Sequence, residues 1–389
     1  MRIGIDARFY NESGVGRYLR NLIRNLKVLD KKNQYFIFLL PKDYEQFAKT
    51  KNFQGVCADF AWYGFAEQFK LPKLLNKYKL DLVHFPHFNV PIFYESKFVV
   101  TIHDLIHQHH KMNRATTLSP LTYKVKQFGY RKVFKTAIIR SEKILVPSNY
   151  VKNVLISEWG VKKEKMMVTY EAVDREILTI ASKMKMADYQ KVLQKFNIQS
   201  PFITASPMAK LGYSLPRKFI FYVGNAHPHK NVEGLIRVFG QLREKYPNLQ
   251  LVLSGFDHFF WQRIKEEFQH KDIIYTGSIS DEEMVAFYKN AACFVMPSFE
   301  EGFGIPLLEA MACGVPVVSS SRGSLPEVGG DAAIYFNPDD IENMTSQIDR
   351  VLRSEKLRQE KIKMGSIRVK QFSWEKLAKQ TLEVYQQCV

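Results

Sequence analysis

The chain has 389 residues, of which 46% are hydrophobic, 13% aromatic and 24% charged, enough apolar material for two domains with full cores and unlike a disordered or fibrous composition. No run approaches the ~18 consecutive apolar residues of a membrane-spanning helix, and Arg2-Ile-Gly-Ile-Asp6 opens the chain as a strand, not as a signal peptide; a cytoplasmic location is expected. The formal net charge of +17 is uneven, because residues 1–200 hold 34 Lys+Arg against 17 Asp+Glu while residues 201–389 hold 22 of each.

Short apolar, β-branched runs recur with room for a helix between them: Arg2–Asp6, Tyr35–Leu40, Leu80–Phe85, Phe98–Ile102, Ile144–Pro147 and Met167–Tyr170. A second set follows at Phe219–Val223, Leu249–Leu253, Ile273–Tyr275, Cys293–Met296, Val315–Ser319 and Ala333–Phe336. Strand alternating with helix twice over predicts two α/β domains with parallel sheets. The predicted division is an N-terminal domain over 1–182, an interdomain segment over 183–217, a C-terminal domain over 218–372 and a closing helix over 373–389, with Ser373 as its N-cap. Cys57, Cys293, Cys313 and Cys388 lie far apart without a CxxC pair, so neither a zinc site nor a disulfide framework is indicated.

Ligands of open parallel sheets bind beyond the carboxyl ends of the strands, and four loops there are unusual. Asn11-Glu-Ser-Gly-Val-Gly-Arg-Tyr18 places Gly14 and Gly16 at the start of a helix, where they suit either a tight turn or a phosphate cradle; Leu19 stands where a dinucleotide fingerprint needs glycine. Thr101-Ile-His-Asp104 sets His103 at a strand end beside Asp104, a carboxylate able to orient its ring. His107, His109 and His110 follow without an acidic or Cys partner at ligand spacing, so no metal site is expected. In Val223-Gly-Asn-Ala-His-Pro-His-Lys-Asn231, Gly224 ends a strand and Lys230 precedes a helix, either as a solvated lysine or as a point charge on a diphosphate. The fourth loop puts Glu301 and Glu309 eight residues apart, with Gly302, Phe303, Gly304 and Ile305 between them and Pro306 opening a helix. Exposed amides at that helix start suit an anion, and the two carboxylates suit hydroxyls of one polyhydroxylated ligand.

These loops, together with Met1-Arg-Ile-Gly-Ile-Asp-Ala-Arg8, Val146-Pro-Ser148 and Pro326-Glu327, give a chain that resembles the family 4 retaining glycosyltransferases over nearly its whole length. The Glu301-x7-Glu309 element is the most specific part of the likeness. The resemblance implies two Rossmann-like domains with parallel sheets facing across a cleft, the GT-B fold, and transfer of a hexose from a nucleotide diphosphate sugar with retained configuration and no metal or other cofactor. It implies that Glu309 accepts from ribose hydroxyls, that Glu301 touches the hexose, and that the amides of Phe303, Gly304 and Ile305 hold sugar and phosphate. Lys230 would neutralise the leaving diphosphate, Gly16 would approach its distal phosphate, and His103 would contact the transferred sugar. Asn225 and His229 depart from the family pattern, which has an arginine near the lysine.

The opening motif and the Thr-Ile-His-Asp-Leu run are similar to bacterial mannosyltransferases of surface-polysaccharide assembly, which points to GDP-mannose as donor, with a UDP-hexose or UDP-N-acetylhexosamine as the alternative. The acceptor implied is lipid-linked or a polysaccharide. The basic first half fits peripheral attachment to the inner face of an anionic membrane through residues 60–80, where Trp62-Tyr63 and Phe69-Lys-Leu-Pro-Lys-Leu-Leu-Asn-Lys-Tyr-Lys79 interleave cations with apolar side chains. A second interleaved segment, Tyr123–Lys135, reads rather as a domain helix with its apolar residues packed on the sheet and its lysines solvated. A non-catalytic protein binding nucleic acid or membrane is the competing class. It explains the charge but not the Glu301 loop, and no nucleic-acid-binding signature is present.

Overall fold

A computed structural model describes residues 1–12, 14–47, 50–109, 120–198 and 219–389. The chain divides into two units, one made of Met1–Glu171 with Ser373–Val389, the other of Ala172–Phe372.

The first unit is built on a seven-stranded sheet in the order β3-β2-β1-β4-β5-β6-β7, comprising β1 (Arg2–Asp6), β2 (Gln34–Leu39), β3 (Phe53–Cys57), β4 (Leu82–Phe85), β5 (Phe98–Thr101), β6 (Lys143–Val146) and β7 (Met166–Val168). The second carries six strands in the order β10-β9-β8-β11-β12-β13: β8 (Phe219–Val223), β9 (Gln250–Ser254), β10 (Ile273–Gly277), β11 (Cys293–Met296), β12 (Val317–Ser320) and β13 (Ala333–Phe336). Every pair in both sheets is parallel. Helices cover both faces of such sheets, so central strands are apolar without alternation. All four residues of β5 and all four of β11 are buried.

Twelve of these strands coincide with the apolar runs of the sequence, and β3 does not. Phe53-Gln-Gly-Val-Cys57 is a short edge strand with two exposed positions and a central glycine, and a Cβ on Gly55 would press on the rings of Tyr44 and Phe47. Glycine depresses strand propensity, yet here it admits the helix Pro41–Tyr44 against the sheet edge.

The boundary between the units also falls earlier than 182. Helices Arg175–Lys183 and Met186–Lys195 pack on helix Asp281–Asn290 of the second unit, and Lys195 pairs with Glu283 at 2.5 Å. The final helix, Trp374–Cys388, lies against helix Gly14–Leu29 in the first unit. Its Tyr385 hydroxyl meets His84 Nδ1 at 2.7 Å, and His84 Nε2 meets Thr101 Oγ1 at 2.8 Å. Burial pushes the pKa of His84 down to about 3, so this fully buried ring is neutral. All four cysteines are free, with Cys57 exposed and the others buried.

Candidate active site

In a sheet ordered 3-2-1-4-5-6 the chain leaves strands 1 and 4 in opposite directions, and the diverging loops open a crevice between them. In the second unit those strands are β8 and β11. Lys230 stands on the loop after β8, Glu301 on the loop after β11, and the crevice brings them together. Lys230 Nζ donates to both oxygens of Glu301, at 2.7 and 2.9 Å, and Ser298 Oγ donates to Glu301 Oε1 at 2.6 Å. Both ends of the pair are largely covered, at 17% and 8% side-chain exposure.

The two loops are themselves braced. Lys230 ends the short 3-10 turn Pro228–Lys230, and its amide donates to the His227 carbonyl. Asn231 follows in the left-handed region and donates to the carbonyls of Pro297 and Pro338. The Ser324 hydroxyl and amide bind the Glu301 carbonyl, and the hydroxyl also reaches the Phe303 carbonyl at 3.0 Å. Phe303 is buried with its ring edge toward Phe372. Gly304 then turns the chain at φ +94°, and a Cβ there would lie 2.7 Å from Leu325. Helix Ile305–Ala312 starts immediately after it, with Pro306 in its first turn. The loop from Glu301 through Gly302 to Ile305 is thus held as a rigid entry to a helix N-terminus, whose dipole favours an anion.

Glu309 is treated differently. It is 1% exposed, on the helix rather than the loop, and its Oε2 accepts from the Tyr288 hydroxyl at 3.4 Å. The helix buries this carboxylate, whereas Glu301 stays on the loop with Lys230. Gly224 follows β8, and its amide donates to the Ser254 carbonyl. Of the two positions that depart from the family pattern, Asn225 uses its Oδ1 to accept from the His227 amide within the turn, and His229 is a buried ring stacked at 12° on His227. Neither supplies a guanidinium, so Lys230 is the cation this loop brings to Glu301.

In the first unit, Gly14 begins its helix exposed and with open space around it. Gly16 is buried, and a Cβ there would lie 2.7 Å from the carbonyls of Phe9 and Tyr10. The close approach that the glycine permits is therefore to the chain's own turn.

His103 follows β5, and its orienting carboxylate is not Asp104. Asp104 accepts from the Ile106 amide, while His103 Nδ1 meets Glu171 Oε1 at 3.0 Å and Nε2 meets the Pro86 carbonyl at 2.9 Å. A carbonyl and a carboxylate only accept, so this geometry favours a ring with a proton on each nitrogen, the cationic form. Burial opposes that charge, but Glu171, Asp104 and the Pro86 carbonyl outweigh it and raise the pKa above its ordinary 6.5. A raised histidine pKa means stability that is fully present below the unfolded value and lost as pH rises through the folded one. His103→Gln should therefore cost the first unit about 2 kcal/mol at pH 6 and progressively less toward pH 9. Thermal unfolding of both proteins across that range checks this, and a gap that widens with pH would refute the charged ring. Glu171, missed by the sequence reading, lies just beyond β7, where the strand-end rule applies equally.

His109 pairs with Glu158 at 2.9 Å, and His110 lies outside the described residues. Among the described residues no three His, Cys, Asp or Glu side chains gather as a metal site would require.

The model of "Glycosyltransferase Family 4" matches residues 13–177, and that of "Glycosyl transferases group 1" matches residues 207–368. The O-antigen chain mannosyltransferase B of Escherichia coli is 28% identical, covering 97% of this chain and 96% of its own length. Among solved structures, sucrose-phosphate synthase of Thermosynechococcus elongatus superposes with a TM-score of 0.73 at 20% identity, over 100% of this chain and 98% of the other. Anabaena HepE in complex with UDP-glucose gives 0.72 at 15% identity, over 100% of both chains. At these identities the structural likeness speaks for the fold, and the sequence models speak for the family. Because they take in both Gly14–Gly16 and the Lys230 and Glu301 loops, this chain belongs to the family 4 glycosyltransferases, hexosyl-transferring enzymes of the GT-B fold.

Proposed function

We propose that the chain is a retaining mannosyltransferase that moves mannose from GDP-mannose to a hydroxyl of a lipid-linked or polysaccharide acceptor, without a metal. The observation that carries this reading is the end-to-end similarity to an O-antigen mannosyltransferase, and the Lys230–Glu301 pair supports it. Glycosyl transfer separates charge: an oxocarbenium-like carbon forms while negative charge grows on the departing diphosphate. Lys230 and the amides from Phe303 to Ile305 offer preorganised positive potential to the diphosphate, and Glu301 offers hydroxyl-accepting negative charge to the sugar. The carboxylate and the diphosphate would repel each other, and Lys230 between them lets both occupy one crevice. The C1–O bond to phosphate breaks, the acceptor oxygen attacks from the same face, and its proton passes to the departing phosphate oxygen. His103 has both ring nitrogens engaged within the first unit, which leaves it no spare N–H for a sugar hydroxyl.

Thermal stability with GDP, UDP and ADP in chelator tests the donor. A ligand at 100 times its dissociation constant adds ~2.7 kcal/mol. GDP is expected to stabilise and the other two far less; stabilisation by UDP alone moves the donor to a UDP-sugar, and stabilisation by none removes the donor site.

Attachment to an anionic membrane is part of the same proposal. Phe65, Phe69 and Phe93 are 88%, 54% and 51% exposed, Phe69 and Phe93 stack at 4.8 Å, and Lys70, Lys73, Lys77 and Lys79 are exposed beside them. Each lysine near an anionic surface contributes about 1 kcal/mol. Flotation should show binding to phosphatidylglycerol vesicles, weakened by Phe65→Ser with Phe69→Ser, and equal binding to neutral vesicles would refute it. Among the described residues no helix is long and apolar enough to cross a membrane.

A further inference from the structure

In the first sheet the diverging strands are β1 and β4, and aromatic rings gather at their carboxyl ends. Phe9 follows β1, Trp62 and Tyr63 follow β3, and His87 follows β4. The Phe9 ring lies 4.5 Å from Trp62, 6.3 Å from Tyr63 and 5.4 Å from His87. Phe9 is buried beneath the others, Trp62 and His87 are half-buried, and Tyr63 is 59% exposed. His87 comes directly after Pro86, whose carbonyl holds His103. The cluster is thus a neighbour of His103 on one strand-end surface.

Its backbone is the unusual part. Tyr63 has φ +59°, a conformation that a bulky side chain rarely adopts and that persists only when its surroundings impose it. Here they do: the Tyr63 amide donates to Glu67 Oε2 at 3.0 Å, and Glu67 is completely buried. Glu67 is fixed in turn by Arg8 and by Asn89 Nδ2, which donates to both its oxygens at 2.8 Å. A buried ion pair is an expensive way to hold a surface turn. The return is one fixed orientation for two aromatic rings that face outward with polar edges, the Tyr63 hydroxyl standing 3.5 Å from His87 Nδ1.

We propose that Trp62 and Tyr63, with His87, form a subsite for a neutral hexopyranose of the acceptor glycan. The apolar C–H face of the sugar would stack on the rings, its hydroxyls would meet Tyr63 Oη and His87, and Glu67 acts as the residue that positions the turn. The proposal rests on the transferase reading and adds where the acceptor is gripped. A lipid surface is the other occupant for exposed aromatics, but bilayer insertion is indifferent to ring angle and needs no strained, ion-pair-held turn. Aromatic faces with a polar tip recognise ligands that are apolar on one side and hydroxylated on the other.

The test is titration of the full-length protein with α-linked mannotetraose, followed by ligand-observed NMR, on wild type, Trp62→Ala, Tyr63→Ala and Tyr63→Phe. Trp62→Ala and Tyr63→Ala should weaken binding at least 10-fold while Tyr63→Phe weakens it less, and all should keep wild-type stabilisation by GDP, which shows that the second unit is intact. Glu67→Ala, which removes the acceptor of the Tyr63 amide, should weaken the oligosaccharide with GDP stabilisation unchanged, and Glu67→Gln, which keeps an acceptor there, should weaken it less. Mannotetraose binding that is absent in the wild type or indifferent to Trp62 and Tyr63 overturns the subsite, whatever GDP does. Failure of every nucleotide to stabilise, with Trp62-dependent oligosaccharide binding intact, removes the transferase reading and leaves the subsite. Loss of phosphatidylglycerol-vesicle binding in Trp62→Ala with oligosaccharide binding unchanged makes the rings a membrane anchor and overturns the proposal.

Discussion

Glu301→Gln is expected to lower kcat by about 10²-fold while leaving GDP binding as tight as in the wild type or tighter. The substitution keeps the shape and one acceptor oxygen for Ser298 or Lys230, and it removes the charge. In the ground state that charge is matched by Lys230 at 2.7 and 2.9 Å, so the carboxylate competes with a diphosphate for the same ammonium group, and its loss frees Lys230 for the nucleotide. In the transition state the sugar becomes positive, and opposite unit charges ~5 Å apart at an effective dielectric of ~20 attract by about 3 kcal/mol, which is about two powers of ten in rate. Lys230→Met should do the reverse to binding: GDP affinity falls at least 10-fold, because the diphosphate then meets Glu301 with no cation between them. Steady-state kinetics and calorimetric titration with GDP separate the two effects. A Glu301→Gln enzyme with wild-type turnover, or a Lys230→Met protein with wild-type GDP affinity, would defeat this division of roles.

Such a split between neighbouring residues shows what a sequence can and cannot carry. The parallel architecture is legible because strands buried on both faces are unbroken apolar runs, as in β5 and β11, and the strand-end rule then points to His103, Lys230 and Glu301 one loop at a time. The exposed, glycine-containing β3 lacks that signature. Partnership is a different matter. Lys230 finds Glu301 71 residues away, His103 finds Glu171 at a separation of 68, and Arg8 finds Glu67 at 59. These distances along the chain become contacts only through strand order, and strand order has no local pattern to read. For the same reason Asp104, adjacent in sequence, was the natural partner for His103 and is the wrong one. Ser298 lies within the loop singled out, yet nothing in its type distinguishes a residue holding Glu301 from any other loop serine.

Arg8→Met should be the most destabilising single change in the first unit, at about 3–5 kcal/mol. The Arg8 side chain is wholly inaccessible, its Nε and Nη2 donate to the two oxygens of Asp6 at 2.8 and 2.7 Å, and Nη2 also reaches Glu67. Methionine fills the space but leaves two buried carboxylates without their shared cation. For a unit of this size each kcal/mol moves the midpoint by about 2–4 °C, so the unfolding step of the first unit should fall by roughly 10 °C while GDP still stabilises the second. Glu67→Gln should cost less, because glutamine still accepts from the Tyr63 amide and Arg8 keeps Asp6. Its pH dependence also has a definite sign. Burial, opposed by Arg8 and reinforced by Asp6, raises the Glu67 pKa above its ordinary 4.5. A carboxyl that binds its proton more tightly when folded lowers stability above its folded pKa and regains it as pH falls toward the unfolded value. Glu67→Gln should therefore compare best with wild type near neutral pH and worst near pH 5. A deficit that instead grows from pH 5 to pH 7 would mean that Glu67 contributes net stability as an anion, and the buried pair would then need no functional return to account for it.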